Sequence, residues 1–190
     1  MTVAGWELRD AAVRATRWDW PVVPGTYLGS DRHWHGRQDA TRLCPLSDTW
    51  SETSVTDPDQ AHEIWSDQPY GVLLVCGRGV DALELPHQMM GVLTALTGAQ
   101  PVAPVALTGS LPRVLVFTAT DSDFLLPALR QVRLHGAGAW IALPPTATEL
   151  VLRQRWWTTP PKGEPPLLPT PVVLDALRNS GTGWPDDEDE

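Results

Sequence analysis

Two histidines and a cysteine lie close together in the sequence and are residue types that bind zinc. His33 and His35 are separated by one residue, and Cys44 follows in the same Gly-, Asp- and Arg-rich stretch. Zinc takes imidazole nitrogen and thiolate sulfur in tetrahedral sites, usually from four ligands. Because three ligands are an incomplete set, the alternative is a mobile loop without metal. These three residues are the metal candidates, and no cofactor is expected.

A second group of residues combines arginine with neighbouring aromatic rings. Arg153, Arg155, Trp156 and Trp157 lie within five consecutive positions. Indole rings stack on unpaired bases, and guanidinium groups contact the backbone of single-stranded nucleic acid. Tryptophan beside arginine also packs at the edges of strands, and this alternative stays open. The pattern predicts either a base-stacking segment or a packed strand edge.

Charge and composition limit the classes of partner. The 190 residues carry a formal charge of −9, and five consecutive acids occupy 186–190. Such a run is typical of a solvated tail, and an acidic chain lacks the basic face of strong duplex binders. Neither a signal peptide nor an apolar stretch of membrane-spanning length occurs, so we expect a cytoplasmic protein without a membrane partner. Nucleotides, single-stranded nucleic acid and proteins remain as partners.

Hydrophobic periodicity predicts an α+β protein with a mostly antiparallel sheet and helices on its faces. We expect one domain over 1–157 with a long loop at 25–55, a proline-rich extension with a short helix at 158–185, and the acidic tail. Helices are predicted at 5–17, 57–65, 88–97, 121–129 and 172–179. Strands are predicted at 71–76, 80–85 and 112–119, with a hairpin-like pair at 132–143.

Four stretches match one known family in order: WPVVPG at 20–25, TDPDQAHEIW at 56–65, GVLLVCGRGVDALELP at 71–86 and VRLHGAGAWIALPPT at 132–146. SLPRVLVF at 110–117 is a weaker fifth. Together they resemble the bifunctional DNA primase/polymerase (prim-pol) domain of the archaeo-eukaryotic primase superfamily, and in particular its stand-alone actinobacterial members. The resemblance implies an RRM-like sheet with flanking helices, an N-terminal α/β unit and template-directed nucleotidyl transfer.

The resemblance also allows each key position of the family to be compared. Clustered carboxylates of the family hold two divalent ions at the reacting phosphates. Its first acidic position falls on Glu84, and its second falls on Pro86. Its histidine falls on Val114, and its third acid falls on Arg133. Asp81 precedes Glu84 by three residues, and this odd spacing places it on the opposite face of a strand. The resemblance therefore implies a catalytically degenerate site.

Three functions follow from this comparison. In the first, a degenerate domain acts as a binding or regulatory module, and Arg113, Arg133 and His135 bind phosphate without metal. The arginines could instead be solvated or pair with the nearby acids. In the second, an active primase/polymerase uses Glu84 and Asp81 in an altered Mg²⁺ or Mn²⁺ site. In the third, a protein-interaction scaffold docks a partner through exposed tryptophans and the loop at 25–55.

Overall fold

The computed structural model describes residues 3–89, 91, 105–108, 113–120, 132–149, 153–156 and 167–179, with the backbone alone for 87, 105–108, 113 and 114. Its helices are α1 (Gly5–Arg17), α2 (Pro58–Asp67) and α3 (Thr170–Asn179). Its first strands are β1 (Val22–Gly25), β2 (Tyr27–Leu28), β3 (Trp34–His35), β4 (Gly71–Val75), β5 (Val80–Pro86) and β6 (Val105–Thr108). They are followed by β7 (Arg113–Ala119), β8 (Arg133–His135), β9 (Trp140–Ala142), β10 (Arg155–Trp156) and β11 (Leu168–Pro169). The α+β class predicted from the sequence is confirmed.

The first two helices begin where the sequence predicts them. The Glu7 carboxylate accepts a hydrogen bond from the Ala4 amide at 3.2 Å, which satisfies a backbone donor at the start of α1. Asp57 does the same for α2, because its Oδ1 accepts from the Gln60 amide at 2.8 Å. Pro58 at the first turn of α2 has no amide hydrogen to leave unpaired. Local capping therefore sets both starting points.

Two mostly antiparallel sheets carry most of the described strands. The smaller sheet has the order β1-β4-β9, and the larger has the order β10-β6-β7-β5-β8 with β11 parallel to β7. The strands predicted at 71–76 and 80–85 are present as β4 and β5, and they pair with β9 and β7 respectively. The chain therefore leaves the smaller sheet after β4 and enters the larger sheet with β5.

The hairpin predicted at 132–143 is wrong. Its first half, β8, pairs with β5, so that Arg133 lies opposite Glu84. Its second half, β9, pairs with β4 in the other sheet, so that Ile141 lies opposite Leu74. An apolar pattern reports that a strand is buried but not which strand it pairs with. The chain crosses between the sheets here for a second time.

The tight turn between β4 and β5 depends on two glycines with positive φ. Gly77 has φ +87° and Gly79 has φ +88°, a region that residues with a Cβ rarely adopt. A Cβ on Gly77 would collide with the Ala137 backbone, whereas a Cβ on Gly79 would meet nothing within 4 Å. The turn therefore packs directly against the second crossing between the sheets.

Substituting these glycines one at a time should separate backbone strain from collision. We expect Gly79→Ala to lower the free energy of unfolding by about 1–2 kcal/mol, the cost of the left-handed conformation alone. Gly77→Ala carries that cost plus a collision with backbone, and should cost at least about 2 kcal/mol more. Urea unfolding of both variants measures the difference, and equal effects would contradict the contact with Ala137.

One apolar core lies between the two sheets. The inner face of the smaller sheet contributes Val22, Val72 and Leu74, and the larger sheet contributes Ala82 and Phe117, all of them fully buried. The other face of the larger sheet is covered by α3, whose Val173, Leu174 and Leu177 are buried. The Thr170 and Thr118 hydroxyls, 2.8 Å apart, join the start of α3 to β7.

The predicted loop at 25–55 contains more regular structure than its composition indicates. Strands β2 and β3 form a hairpin within it, and isolated bridges join Gly25 to Pro45 and Val22 to Val55. Buried Thr26 donates its hydroxyl to the Arg42 carbonyl at 2.9 Å. The segment at 25–55 is thus held to the smaller sheet by backbone hydrogen bonds at several positions.

Some predictions fall wholly or largely outside the described residues. These are the helices at 88–97 and 121–129, most of the proline-rich segment and the acidic run at 186–190. The helix predicted at 172–179 is part of α3. None of the described helices is both long and apolar enough to cross a membrane.

Candidate functional site

Three strands of the larger sheet bring the positions named by the family resemblance together. Glu84 of β5 lies opposite Leu115 of β7 on one side and opposite Arg133 of β8 on the other. Directly opposed residues of a sheet share a face. Trp156 belongs to the same row, because it pairs with Ala106, which pairs with Leu115. This face is therefore apolar towards β10 and charged at β8.

A carboxylate and an imidazole form the centre of the charged part. The His135 Nε2 and the Glu84 Oε2 are 2.9 Å apart, and the two side chains are only 18% and 21% exposed. His135 lies diagonally from Glu84, two residues beyond Arg133, a separation that long side chains can bridge. Arg133 itself is exposed. The site thus presents a histidine held by a carboxylate, beside a guanidinium open to solvent.

The remaining positions of the resemblance lie at the end of β5. Pro86 pairs with Arg113, and Leu85 pairs with Val114. Arg113 is therefore at a register position on the face that carries Glu84, whereas Val114 is at a position on the opposite face. Pro86 has no side-chain atom that could bind a metal ion.

Asp81 belongs to the turn between the sheets. It pairs with Thr118, three positions from the pair formed by Glu84 and Leu115, and is only 3% exposed. Its Oδ1 accepts a hydrogen bond from the Gly77 amide at 2.8 Å. Burial, followed by the negative charge of Asp81, raises the pKa of the nearby Cys76 thiol to about 12. The odd spacing therefore separates Asp81 from Glu84, as the sequence predicts.

The zinc candidates make other contacts. His35 Nε2 lies 3.0 Å from Asp31 Oδ1, and His33 Nδ1 lies 3.0 Å from the Asp31 carbonyl. The Cys44 Sγ is 4.0 Å from the Thr26 hydroxyl. Within the described ranges, no group of three or more His, Cys, Asp or Glu side chains is arranged to hold a metal ion. The hydrogen bond from His35, followed by that from the His33 amide, lowers the pKa of Asp31.

The segment predicted to stack bases is used largely in packing. Arg153 donates to both carboxylate oxygens of Glu7, at 2.9 and 2.5 Å. The Trp156 ring lies 5.7 Å from Phe117 and 6.3 Å from Trp18, between centroids. Arg155 is exposed, and Trp157 lies outside the described residues. The ion pair with Glu7 therefore accounts for Arg153, and packing accounts for Trp156, without a nucleic-acid ligand.

The Glu7–Arg153 pair should give a small, pH-dependent coupling. The hydrogen bonds from Arg153 lower the pKa of Glu7 from its usual value. A lowered carboxyl pKa stabilises the fold above the pKa of the unfolded chain, and this contribution is lost as pH falls through the folded-state pKa. A double-mutant cycle of Glu7→Gln and Arg153→Gln should give about 0.5–1 kcal/mol at pH 7 and near zero at about pH 3.

The control for this cycle is Arg9 and Asp10, whose charged atoms are 3.8 Å apart on the surface of α1. That pair should give a coupling below about 0.3 kcal/mol at either pH. Equal coupling for both pairs, or no change with pH, would contradict the role of Arg153.

Two cavities, each of about 750 Å³, were not predicted from the sequence. One lies beside the start of α1 and is lined by the β2–β3 hairpin, including Tyr27, Asp31 and His35. The other, lined by Trp50 and Trp140, lies where the 37–50 segment meets β9. These two tryptophans are far apart in sequence, so no local motif joins them. The only sequence signal was the count of ten tryptophans.

These observations define an α+β domain in which two antiparallel sheets share a core, with a polar cluster on one face of the larger sheet. A family model described as the N-terminal domain of bifunctional DNA primase/polymerase matches residues 11–171. Since the match covers most of the chain, the protein belongs to this family, as the resemblance indicated. A comparison with curated proteins finds no match.

Proposed function

We propose that this protein is a catalytically degenerate prim-pol domain that binds the phosphates of nucleotides or single-stranded nucleic acid without metal ions. One observation supports this proposal above all. The Glu84 carboxylate is hydrogen-bonded to His135, and Glu84 lies directly opposite Arg133, where the family resemblance implies the third acid. A regulatory role through such binding is part of the proposal.

The charge at position 133 favours anions over metal ions. A two-metal site needs several carboxylates to hold two divalent cations close together. Two unit charges about 5 Å apart interact by roughly 3 kcal/mol at an effective dielectric constant of 20, and solvent screening at the exposed Arg133 lowers this energy. An acid at position 133 would attract a metal ion held by Glu84, whereas an arginine there repels the ion by a similar energy.

The same residues suit a phosphate. Arginine binds phosphate oxygens with two parallel hydrogen bonds, and Arg133 is exposed to solvent. The Nε2 of His135 faces Glu84, which leaves Nδ1 as the nitrogen for a ligand. Glu84 is then a positioning residue that fixes the ring. Arg113, in register with this face, would supply a second guanidinium.

The arrangement is less suited to an active nucleotidyltransferase with an altered metal site. Such a site needs a second carboxylate beside Glu84, and Asp81 is the nearest acid on the same strand. Asp81 is buried at the turn and bonded to the Gly77 amide. Recruiting it would require β5 to turn over within the sheet.

A primer-extension assay tests the loss of chemistry. With a primed template, all four deoxynucleotides and either Mg²⁺ or Mn²⁺, we expect no extension while a metal-dependent polymerase extends in parallel. Extension of the primer by this protein would contradict the proposal.

A restored variant makes the negative result informative. Pro86→Asp combined with Arg133→Asp places acids at both family positions beside Glu84, and we expect it to bind Mn²⁺ more tightly than the unmodified protein. Electron paramagnetic resonance of free Mn²⁺ measures this change. Arg155→Asp, at an exposed arginine of the same sheet, is the control for added negative charge and should bind no more Mn²⁺ than the unmodified protein.

A further inference from the structure

The outer face of the smaller sheet has a tryptophan-lined surface that the phosphate site does not use. Register places Val23, Leu73 and Val75 on one face of the sheet, and Trp140 lies opposite Val75. These residues form an apolar cluster outside the main core. Part of the loop at 25–55, rather than a described helix, packs against this cluster. The tryptophans that cover it are Trp34, Trp50 and Trp140, all partly buried.

A groove of about 750 Å³ remains beside this surface. It is called the tryptophan groove here, and its lining includes Arg37, Arg42, Trp50, Trp140 and Glu149. Its volume falls within the range of small-ligand sites, roughly 300–1,000 Å³. Two indole rings and two guanidinium groups along one groove are the residue types that contact unpaired bases and their phosphates.

The contacts within the groove show which of its groups are already used. Arg37 donates to the Asp48 carboxylate at 2.8 Å. The Glu149 carboxylate accepts from the Leu43 amide at 2.6 Å. The guanidinium of Arg42 is exposed and makes no ion pair or hydrogen bond with any described residue. The groups left for a ligand are the exposed parts of two indole rings and the guanidinium of Arg42, although the Glu149 carboxylate in the same lining balances its charge.

We propose that the tryptophan groove binds an unpaired base of single-stranded nucleic acid, which stacks on Trp50 or Trp140 while Arg42 contacts a neighbouring phosphate. The overall charge of −9 opposes a binding mode based on many phosphate contacts. Stacking does not depend on net charge and tolerates any base, because every base has a π-face. Binding here should therefore be tolerant of sequence and only weakly dependent on salt.

The groove is also close to the proposed phosphate site along the chain. His135 and Trp140 are separated by five residues that cross from β8 to β9. Five residues span at most about 18 Å even when fully extended. The backbone at the two surfaces is therefore separated by no more than this distance between His135 and Trp140. The inference deepens the proposed function, because it names a single strand as the ligand and assigns it a second point of contact.

The test measures the binding of a fluorescent oligothymidylate of about 12 nucleotides, within the site sizes typical of single-strand binders. We expect Trp50→Leu and Arg42→Gln each to weaken binding about tenfold, and Arg42→Gln to reduce the salt dependence by about one phosphate contact. An otherwise identical oligonucleotide without bases should bind weakly and show no further loss with Trp50→Leu.

Matched controls are available on α1. Trp6 is 61% exposed and Arg17 is exposed, so Trp6→Leu and Arg17→Gln should leave oligonucleotide binding unchanged. Thermal unfolding verifies that Trp50→Leu is folded, and the exposed Arg42→Gln gives a second variant that does not depend on packing.

The possible outcomes separate this inference from the proposed function. Titration with inorganic triphosphate in EDTA reports the phosphate site without a base to stack, and it should be unaffected by Trp50→Leu or Arg42→Gln. If the triphosphate binds but the groove variants bind the oligonucleotide as well as the controls do, the groove inference is overturned by itself. If neither ligand binds, both proposals fail. If the groove substitutions weaken the binding of an acidic peptide but not that of the oligonucleotide, the groove inference is overturned in favour of a protein partner.

Discussion

Replacing Arg133 with glutamine should weaken the metal-free binding of a nucleoside triphosphate by at least about tenfold. Hydrogen bonds to charged groups contribute roughly 1.5–3 kcal/mol each, and 1.4 kcal/mol corresponds to a factor of ten in affinity. Glutamine keeps a similar reach but loses the charge and the paired donors. Calorimetric titration in EDTA measures the effect. The exposed position predicts little change in thermal stability.

Arg17→Gln is the matched control, because Arg17 is an exposed arginine on α1 and is not part of the larger sheet. It should bind the triphosphate as tightly as the unmodified protein. Equal losses in both variants would point to a general effect of charge, and no loss in Arg133→Gln would remove the phosphate site from this face.

The second large effect is expected from Phe117→Ala, which should lower the free energy of unfolding by about 3–5 kcal/mol. Phe117 is fully buried in β7, with its ring centroid 5.0 Å from Trp20 and 5.7 Å from Trp156. For a chain of this size the loss corresponds to a fall in the melting temperature of roughly 10 °C. Urea and thermal unfolding both measure it.

Val172→Ala provides the comparison, because Val172 is 49% exposed on α3. We expect it to change the free energy of unfolding by no more than about 0.5 kcal/mol. A loss below about 1 kcal/mol for Phe117→Ala would mean that the two sheets do not share the core described here.

The sequence predicted elements better than their partners. The helix at 5–17 follows from its apolar spacing and flanking residues, all of which are local signals. The segment at 132–143 reads as two apolar strands around glycines, which is typical of a hairpin. In the fold its two halves join different sheets. β8 pairs with β5 and β9 pairs with β4, because these strands are better-buried partners than β8 and β9 would be for each other. The pairing of each strand depends on packing throughout the core, so the local sequence pattern does not reveal it.

The candidate site shows the same limit. Family resemblance alone assigned Glu84 and Arg133 to key positions, and the register then placed them opposite each other. The contact between Glu84 and His135 is a diagonal one, so it depends on a register that sequence spacing does not reveal. Trp50 and Trp140 line one groove only because the loop at 25–55 packs against β9.

The central claim is that a guanidinium-based phosphate site has replaced the family's two-metal site. Calorimetric titration of a deoxynucleoside triphosphate, first in EDTA and then with Mg²⁺ or Mn²⁺, tests it most directly. We predict binding in EDTA, with an affinity that does not increase when metal is added. Binding that requires metal would contradict the claim and return attention to Glu84 as a metal ligand, and absence of binding under both conditions would also contradict it.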